Sequence, residues 1–416
     1  MGVAAVLKNR DFDLYWTGVI FSQIGTRGTV AANLYHVYAL TGSVMQTGLV
    51  GAAQAVALLV LSPLGGVLAD RWDRRRLLQV SQAAAMVVAG VLSVLTLTGH
   101  IVAWQVLVSV VLTTAAATFD QPARQALIPA LVPRNQLPQA FALLNPSREI
   151  AVLLGPALAG VFIGIAGPGL MYAVDTATYA ILVVLLQVLR VGKIDGAGKH
   201  TSVWRQIGEG ARFVVHRRII WMLMSLDLSA TLFGAYRVVL PALCATVFEV
   251  GPQGYGLLSA APSAGALLAT YTVFRVVGRA RRLGRVLLIS TVLYGLANVM
   301  LAQAHVFVIA VLAGLLLGGF DAMATTIRHA AVQLETPDEL RGRVSAFYQM
   351  SSRGGPALGD TLVGAVAGAL GPVLALSLGG ILAALYPVVF LVRPNPVGVY
   401  AGVAAEEEPA TAGKGP

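Results

Sequence analysis

Gly66-Val67-Leu68-Ala69 closes one apolar run, Asp70-Arg71-Trp72-Asp73-Arg74-Arg75-Arg76 follows, and Leu77-Leu78 opens the next apolar run. A short, strongly basic turn between two apolar stretches of helix length is the pattern of a loop held on one side of a membrane. The same alternation recurs along the whole chain. Breaking it at charge clusters and Gly/Pro turns predicts spans near 13–40, 44–70, 75–98, 101–127, 136–166 and 168–191, then 217–247, 251–276, 285–303, 305–331, 340–369 and 371–392.

Composition agrees with a bilayer as solvent. Of 416 residues, 57% are hydrophobic and 12% charged, against about 45–50% and about 25% in soluble domains. Mean hydropathy of +0.76 excludes a disordered chain. A soluble enzyme is excluded too, because a span takes about 20 residues and twelve of them leave no room for a large soluble domain. Cys244 is the sole cysteine and no His/Cys cluster has metal-ligand spacing, so the reading assigns no metal and no cofactor. The net charge of +10 lies in patches between apolar spans, which favours a topological role over nucleic-acid binding.

All but four of the 29 Lys and Arg fall on one side, in loops or at the adjoining span ends; the loops near Thr41–Ser43, Gly99–His100, Gly167–Pro168, Glu249–Gln253, Ala302–His305 and Gly371–Pro372 carry none. By the positive-inside rule both termini are expected in the cytoplasm of a multi-pass cell (inner or plasma) membrane protein. The exceptions, Arg27, Arg148, Arg237 and Arg353, sit inside predicted spans.

The chain also repeats itself. Gly48-Leu49-Val50-Gly51-Ala52-Ala53 falls on Gly256-Leu257-Leu258-Ser259-Ala260-Ala261, Phe119-Asp120 on Phe320-Asp321, Arg148 on Arg353, and Gly167-Pro168 on Gly371-Pro372. Two six-helix halves in the same topology follow. The expected domains are an N-terminal half at 1–191, a cytoplasmic linker with an amphipathic helix at 192–218, a C-terminal half at 219–392 and a disordered tail at 393–416.

With the repeat in place, the stretch from Gly66 to Arg76 resembles the loop between the second and third helices of the major facilitator superfamily. Asn9-Arg10-Asp11-Phe12, Leu40-Thr41-Gly42-Ser43, Pro122-Ala123-Arg124, Leu127 to Pro133 and Gly155-Pro156-Ala157-Leu158-Ala159-Gly160 look like its drug:proton antiporter branch, which includes enterobactin exporters and macrolide efflux proteins. The resemblance covers about residues 5–392. It implies an all-α membrane fold of twelve helices and secondary transport. It also implies a gating loop of Gly66, Asp70, Arg71 and Arg74, with Asp120 nearby, in which the acid meets the positive end of the eleventh helix and latches the cytoplasmic side. Two departures stand out: Asp73 occupies a usual glycine position, and Gly278 replaces an acid in the second-half copy.

Charge inside a span is costly unless it faces a partner or water. Gln349, Arg353, Pro356 and Asp360 lie three or four residues apart and so share one face of the eleventh span. Gln23, Arg27 and Asn33 come from the first span, Asn145, Arg148 and Glu149 from the fifth, and Asp227, Tyr236 and Arg237 from the seventh. Either these residues line a water-filled cavity for a small-molecule substrate, or they are structural ion pairs. Glu149, Asp360, Asp321 and Asp227 are the candidate proton carriers, since an acid whose arginine pairing changes can exchange a proton. Asp175 reads as a local hydrogen-bonding residue, His36, His100 and His305 as solvated at the outer surface, and Trp16, Trp104 and Trp221 as interface anchors.

The expected activity is proton-driven export of a small amphipathic compound by alternating access, with the bilayer and protons as the further partners and a monomer as the unit. An organic-anion or lipid transporter of the same fold is the alternative. An intramembrane enzyme or receptor lacks support, because no His-Glu-x-x-His pair or Gly-x-Ser-x-Gly elbow occurs.

Overall fold

Asn9 starts the first long helix by accepting the amides of Asp11 and Phe12 on its side chain, a cap that satisfies two otherwise unpaired donors. The computed structural model describes residues 4–71, 73–189, 203–280 and 282–400. After the short α1 (Ala4–Leu7), five further helices follow α2 (Arg10–Thr41): α3 (Val44–Arg71), α4 (Arg74–Leu97), α5 (Ala103–Leu131), α6 (Leu137–Ala166) and α7 (Pro168–Val188). The linker helix α8 (Val203–His216) precedes α9 (Arg218–Phe233), α10 (Leu240–Thr246), α11 (Pro252–Arg279) and α12 (Leu283–Ala302). The last four are α13 (Phe307–Leu334), α14 (Asp338–Leu370), α15 (Pro372–Val392) and α16 (Pro396–Val399).

Among the described residues nine helices are long and apolar enough to cross a membrane, and none of the described residues is in a strand. Helices α2 and α14 are longer still, at 32 and 33 residues, but carry internal charges. The seventh span departs from expectation. Instead of one helix over 217–247, α9 ends at Phe233 and α10 begins at Leu240, so Tyr236 and Arg237 lie in a break outside both helices, while Asp227 lies on α9. Two features mark the break: Pro241 at the start of α10 has no N–H to continue a ladder, and the Tyr294 hydroxyl of α12 donates to the Gly234 carbonyl.

The repeat is visible in the backbone. Gly167 (φ 76°) and Gly371 (φ 84°) each end one helix and start the next, followed by Pro168 and Pro372 in the first turn. Only glycine adopts such angles readily, and proline suits a first helical turn. The chain packs as two compact units, Met1–Trp204 with Arg237–Ala260, and Arg205–Tyr236 with Ala261–Pro416.

In the first unit α2 packs on α6 and α7, and α5 on α3 and α4. Phe12, Tyr15, Leu78, Leu127, Leu182 and Leu186 belong to one of its buried clusters. Small residues set the approach: a Cβ on Gly160 of α6 would lie 2.6 Å from the Cα of Gly256 on α11, so both positions exclude any side chain. In the second unit α12 packs on α13 and α15, and α9 on α14 and α15. The expected disordered tail does not begin at Arg393. Asn395 caps α16 through Gly398 N–H, and Val397 is fully buried against Gly284, so packing orders the chain to Tyr400. Residues 401–416 lie outside the described residues.

Candidate functional site

Each unit holds a buried arginine. In the first, Arg124 Nε and Asp120 Oδ2 pair at 2.5 Å, one turn apart on α5. Arg124 Nη2 donates to Ser22 Oγ on α2 (3.2 Å), Ser22 donates to Gln82 Oε1 on α4 (3.0 Å), and Gln82 Nε2 donates to Asp120 Oδ1 (2.6 Å). A closed ring thus ties three helices, with the Tyr15 hydroxyl donating to the Arg124 carbonyl beside it. In the second unit Arg328 on α13 is 1% exposed and pairs with Asp227 on α9. Tyr348 of α14 faces the same guanidinium.

From sequence, Arg124 and Arg328 count among the basic residues beside loops on one side; both are buried inside helices, seven and six residues short of the helix ends at Leu131 and Leu334. Asp120, expected in the gating region, belongs to the ring. The matching of Phe119-Asp120 to Phe320-Asp321 also hides a difference, because Asp120 pairs with its own helix's arginine whereas Arg328 takes its acid from α9.

The other expected residues are spread along several helices. Gln23 and Arg27 are half-buried on α2, with Gly155 of α6 packed against the Arg27 Cβ, and Asn33 is buried. Asn145, Arg148 and Glu149 are exposed midway along α6. Asp321 is exposed midway along α13, where it accepts a 3.4 Å hydrogen bond from Thr325. On α14 Gln349 is exposed and Asp360 buried; the side chain of Arg353 lies outside the described residues, as do those of Gly66, Asp70 and Arg71. Tyr236 and Arg237 are half-buried in the break after α9.

The basic loop does visible structural work. Asp73 caps α4 by accepting Arg76 N–H at 2.8 Å, which gives the departure from glycine a role. Arg74 Nη1 donates to Ala126 O, and Arg75 donates to the Leu186 and Gln187 carbonyls at the end of α7. Arg75 thus satisfies two carbonyls of the last turn of α7 that would otherwise lack partners, and Arg74 ties the start of α4 to α5.

Asp175 is more than a local hydrogen-bonding residue. It is fully buried, takes the Thr29 hydroxyl of α2 at 2.6 Å and the Thr178 hydroxyl at 3.3 Å, and packs where Gly25 leaves space. His36 is not solvated, because it is buried and hydrogen-bonds the Tyr172 hydroxyl at 3.1 Å. Both facts follow from the close packing of α2 against α7. Trp104 and Trp221 are exposed, while Trp16 is half-buried and donates to Ser147 Oγ.

A family model described as transmembrane secretion effector matches residues 1–406. The chain is similar to the enterobactin exporter EntS of Salmonella typhimurium, 26% identical over 82% of each chain. It is 27% identical to a staphyloferrin A transporter of Staphylococcus aureus, over 88% of this chain and 90% of that one. Among solved structures, a mutant of the nucleoside transporter NupG superposes with a TM-score of 0.76 at 15% identity, over 91% of this chain and 99% of that one. A POT family transporter in complex with 5-aminolevulinic acid gives 0.71 at 12%, over 92% and 96%. These structural likenesses carry the fold alone. An all-helical chain with a repeated architecture, a whole-length family match and transporters for relatives is a multi-pass membrane protein and not an enzyme: it belongs to the transmembrane secretion effector family and is a secondary transporter of the major facilitator fold.

Proposed function

We propose that this transporter exports a small, siderophore-like amphipathic compound in exchange for protons, by alternating access of its two six-helix halves in the inner membrane, with both termini cytoplasmic. The observation that carries this reading is uncovered charge halfway along membrane helices, at Arg148 and Glu149 on α6 and Asp321 on α13. Charge at mid-bilayer costs about 3 kcal/mol against lipid even on the lenient insertion scale. Such side chains therefore face water, and water at that depth is a path for a polar solute. The relatives named for enterobactin and staphyloferrin A support the substrate class.

On this reading Gln23, Arg27, Asn33, Asn145, Arg148, Tyr236, Arg237, Gln349 and Arg353 contact the substrate path, and Glu149, Asp360, Asp321 and Asp227 are the acids available to a proton. Asp70, with Gly66, Arg71 and Arg74 around it, latches the cytoplasmic side. The test is a panel of enterobactin, staphyloferrin A and ethidium offered to the reconstituted full chain. Accumulation of at least one iron-chelating probe, recovered chemically unchanged, supports the reading. Transport of ethidium alone would replace the siderophore class with a cationic drug.

A further inference from the structure

We propose that the recess between α8 and the start of α14 binds the phosphate of an anionic phospholipid from the surrounding bilayer, with Arg212 and Arg343 as its cations and His216 beside them. The apolar face of α8 is already covered by protein. A Cβ on Gly210 would stand 2.5 Å from the Arg343 carbonyl oxygen, and Val214 is buried in a cluster with Val344 of α14. That face is therefore not what meets the membrane. The outward face carries Arg212, Val215 and His216, spaced three and four residues along the helix and all exposed.

Beside that face lies an open recess of about 330 Å³, lined by Glu209, Arg212, Phe213, His216, Leu340 and Arg343. Two guanidiniums there stand against one carboxylate, and Arg343 already holds Glu209 at 2.7 Å. Arg212 makes no ion pair among the described residues. Its guanidinium is thus available, and such a group can hold two phosphate oxygens at once. His216 Nδ1 donates to the Arg212 carbonyl at 2.6 Å, which leaves Nε2 as the ring atom for another partner. Of the acids at the start of α14, Asp338 is paired with Arg341 at 2.6 Å and Glu339 does not line the recess. Phe213 and Leu340 add an apolar wall, which suits an amphiphile better than a bare ion.

Position selects a lipid over a free anion. His216 stands two residues before α9, and Leu340 and Arg343 lie in the first two turns of α14, so two membrane helices begin at the recess. Polar headgroups occupy about 5–7 Å on each side of the hydrocarbon, and one helical turn rises about 5.4 Å. A phosphate in that layer meets these side chains without leaving the bilayer. Arg217 and Arg218, both exposed, carry the positive surface from the recess into α9. Basic pockets at the ends of membrane helices take anionic headgroups by this charge complementarity.

The test uses the full chain in detergent, with phosphatidylglycerol as the probe and no transport substrate. Native mass spectrometry during a lipid titration reads the affinity of the first lipid bound. The wild-type chain should hold phosphatidylglycerol at least about fivefold more tightly than phosphatidylcholine, the factor that roughly one basic residue contributes beside anionic lipid. Arg212→Gln/His216→Gln should erase that preference, and Arg212→Gln alone serves if the pair misfolds. Arg285→Gln/Arg393→Gln, which removes two exposed charges elsewhere in the second unit, should leave it unchanged. No preference in the wild type, an undiminished one in the folded variant, or an equal loss in the control overturns the proposal. So does displacement of phosphatidylglycerol by millimolar inorganic phosphate, which would assign the recess to a soluble anion.

Discussion

Asp120 and Arg124 stand one turn apart on α5, and their 2.5 Å contact is completed into a ring by Gln82 from α4 and Ser22 from α2. The ion pair and the three hydrogen bonds link Arg124, Ser22, Gln82 and Asp120 in one closed circuit. Removing a single charge, as in Arg124→Ala, leaves Asp120 buried without its cation. The expected loss is about 3 kcal/mol or more, read as a lower unfolding midpoint in detergent. Asp120→Asn/Arg124→Gln should recover part of that loss, and a double variant no better than the single one would show that the charges are not coupled.

Gly160 and Gly256 bring α6 and α11 into backbone contact, with a Cβ on either 2.6 Å from the other's Cα. Gly256→Val should prevent a folded, monodisperse protein, since its branches would overlap the Gly160 backbone. Gly278→Ala is the matched control, because nothing lies within 4 Å of its Cβ position. It should be neutral or gain up to about 1 kcal/mol from helix propensity. Equal behaviour of the two variants in size-exclusion and thermal assays would refute the packing account.

Asp175 receives hydroxyl donors from Thr29 and Thr178. Asparagine keeps the shape and can still accept on its oxygen, so Asp175→Asn should shift stability by less than about 1 kcal/mol. Asp175→Leu strands the Thr29 hydroxyl in an apolar place and should cost about 1–3 kcal/mol. A larger effect from asparagine than from leucine would mean that the carboxyl's charge is what matters.

The orientation is testable with introduced thiols. Cys244 is buried and cannot report sidedness. In a Cys244→Ser background, a cysteine at His100, exposed in a loop free of basic residues, should react with an impermeant reagent added to intact cells, and one at Arg134 should not. The reverse pattern would invert the topology.

Much of this architecture was legible because hydropathy and charge report the bilayer directly. The one-residue turns at Gly167 and Gly371, and most helix limits, follow from where apolar runs meet Gly-Pro or basic clusters. The buried arginines were not legible. Counting basic residues by side sets Arg124 and Arg328 beside the loop charges, yet each is buried inside its helix, where Asp120 and Asp227 make burial tolerable. Nothing in the pattern of the seventh span marked Gly234 apart from other glycines; the break there depends on Tyr294, sixty residues on. His36 likewise looked solvated until Tyr172 covered it. What sequence reading missed in each case was a partner from a distant helix.

Uptake of enterobactin and staphyloferrin A into inside-out vesicles, with and without an acidic lumen, tests proton-coupled export most directly. The account predicts that at least one of the two accumulates above its outside concentration only while the lumen is acidic, and leaks back when a proton carrier dissipates the gradient. Accumulation that survives collapse of the gradient would contradict proton coupling.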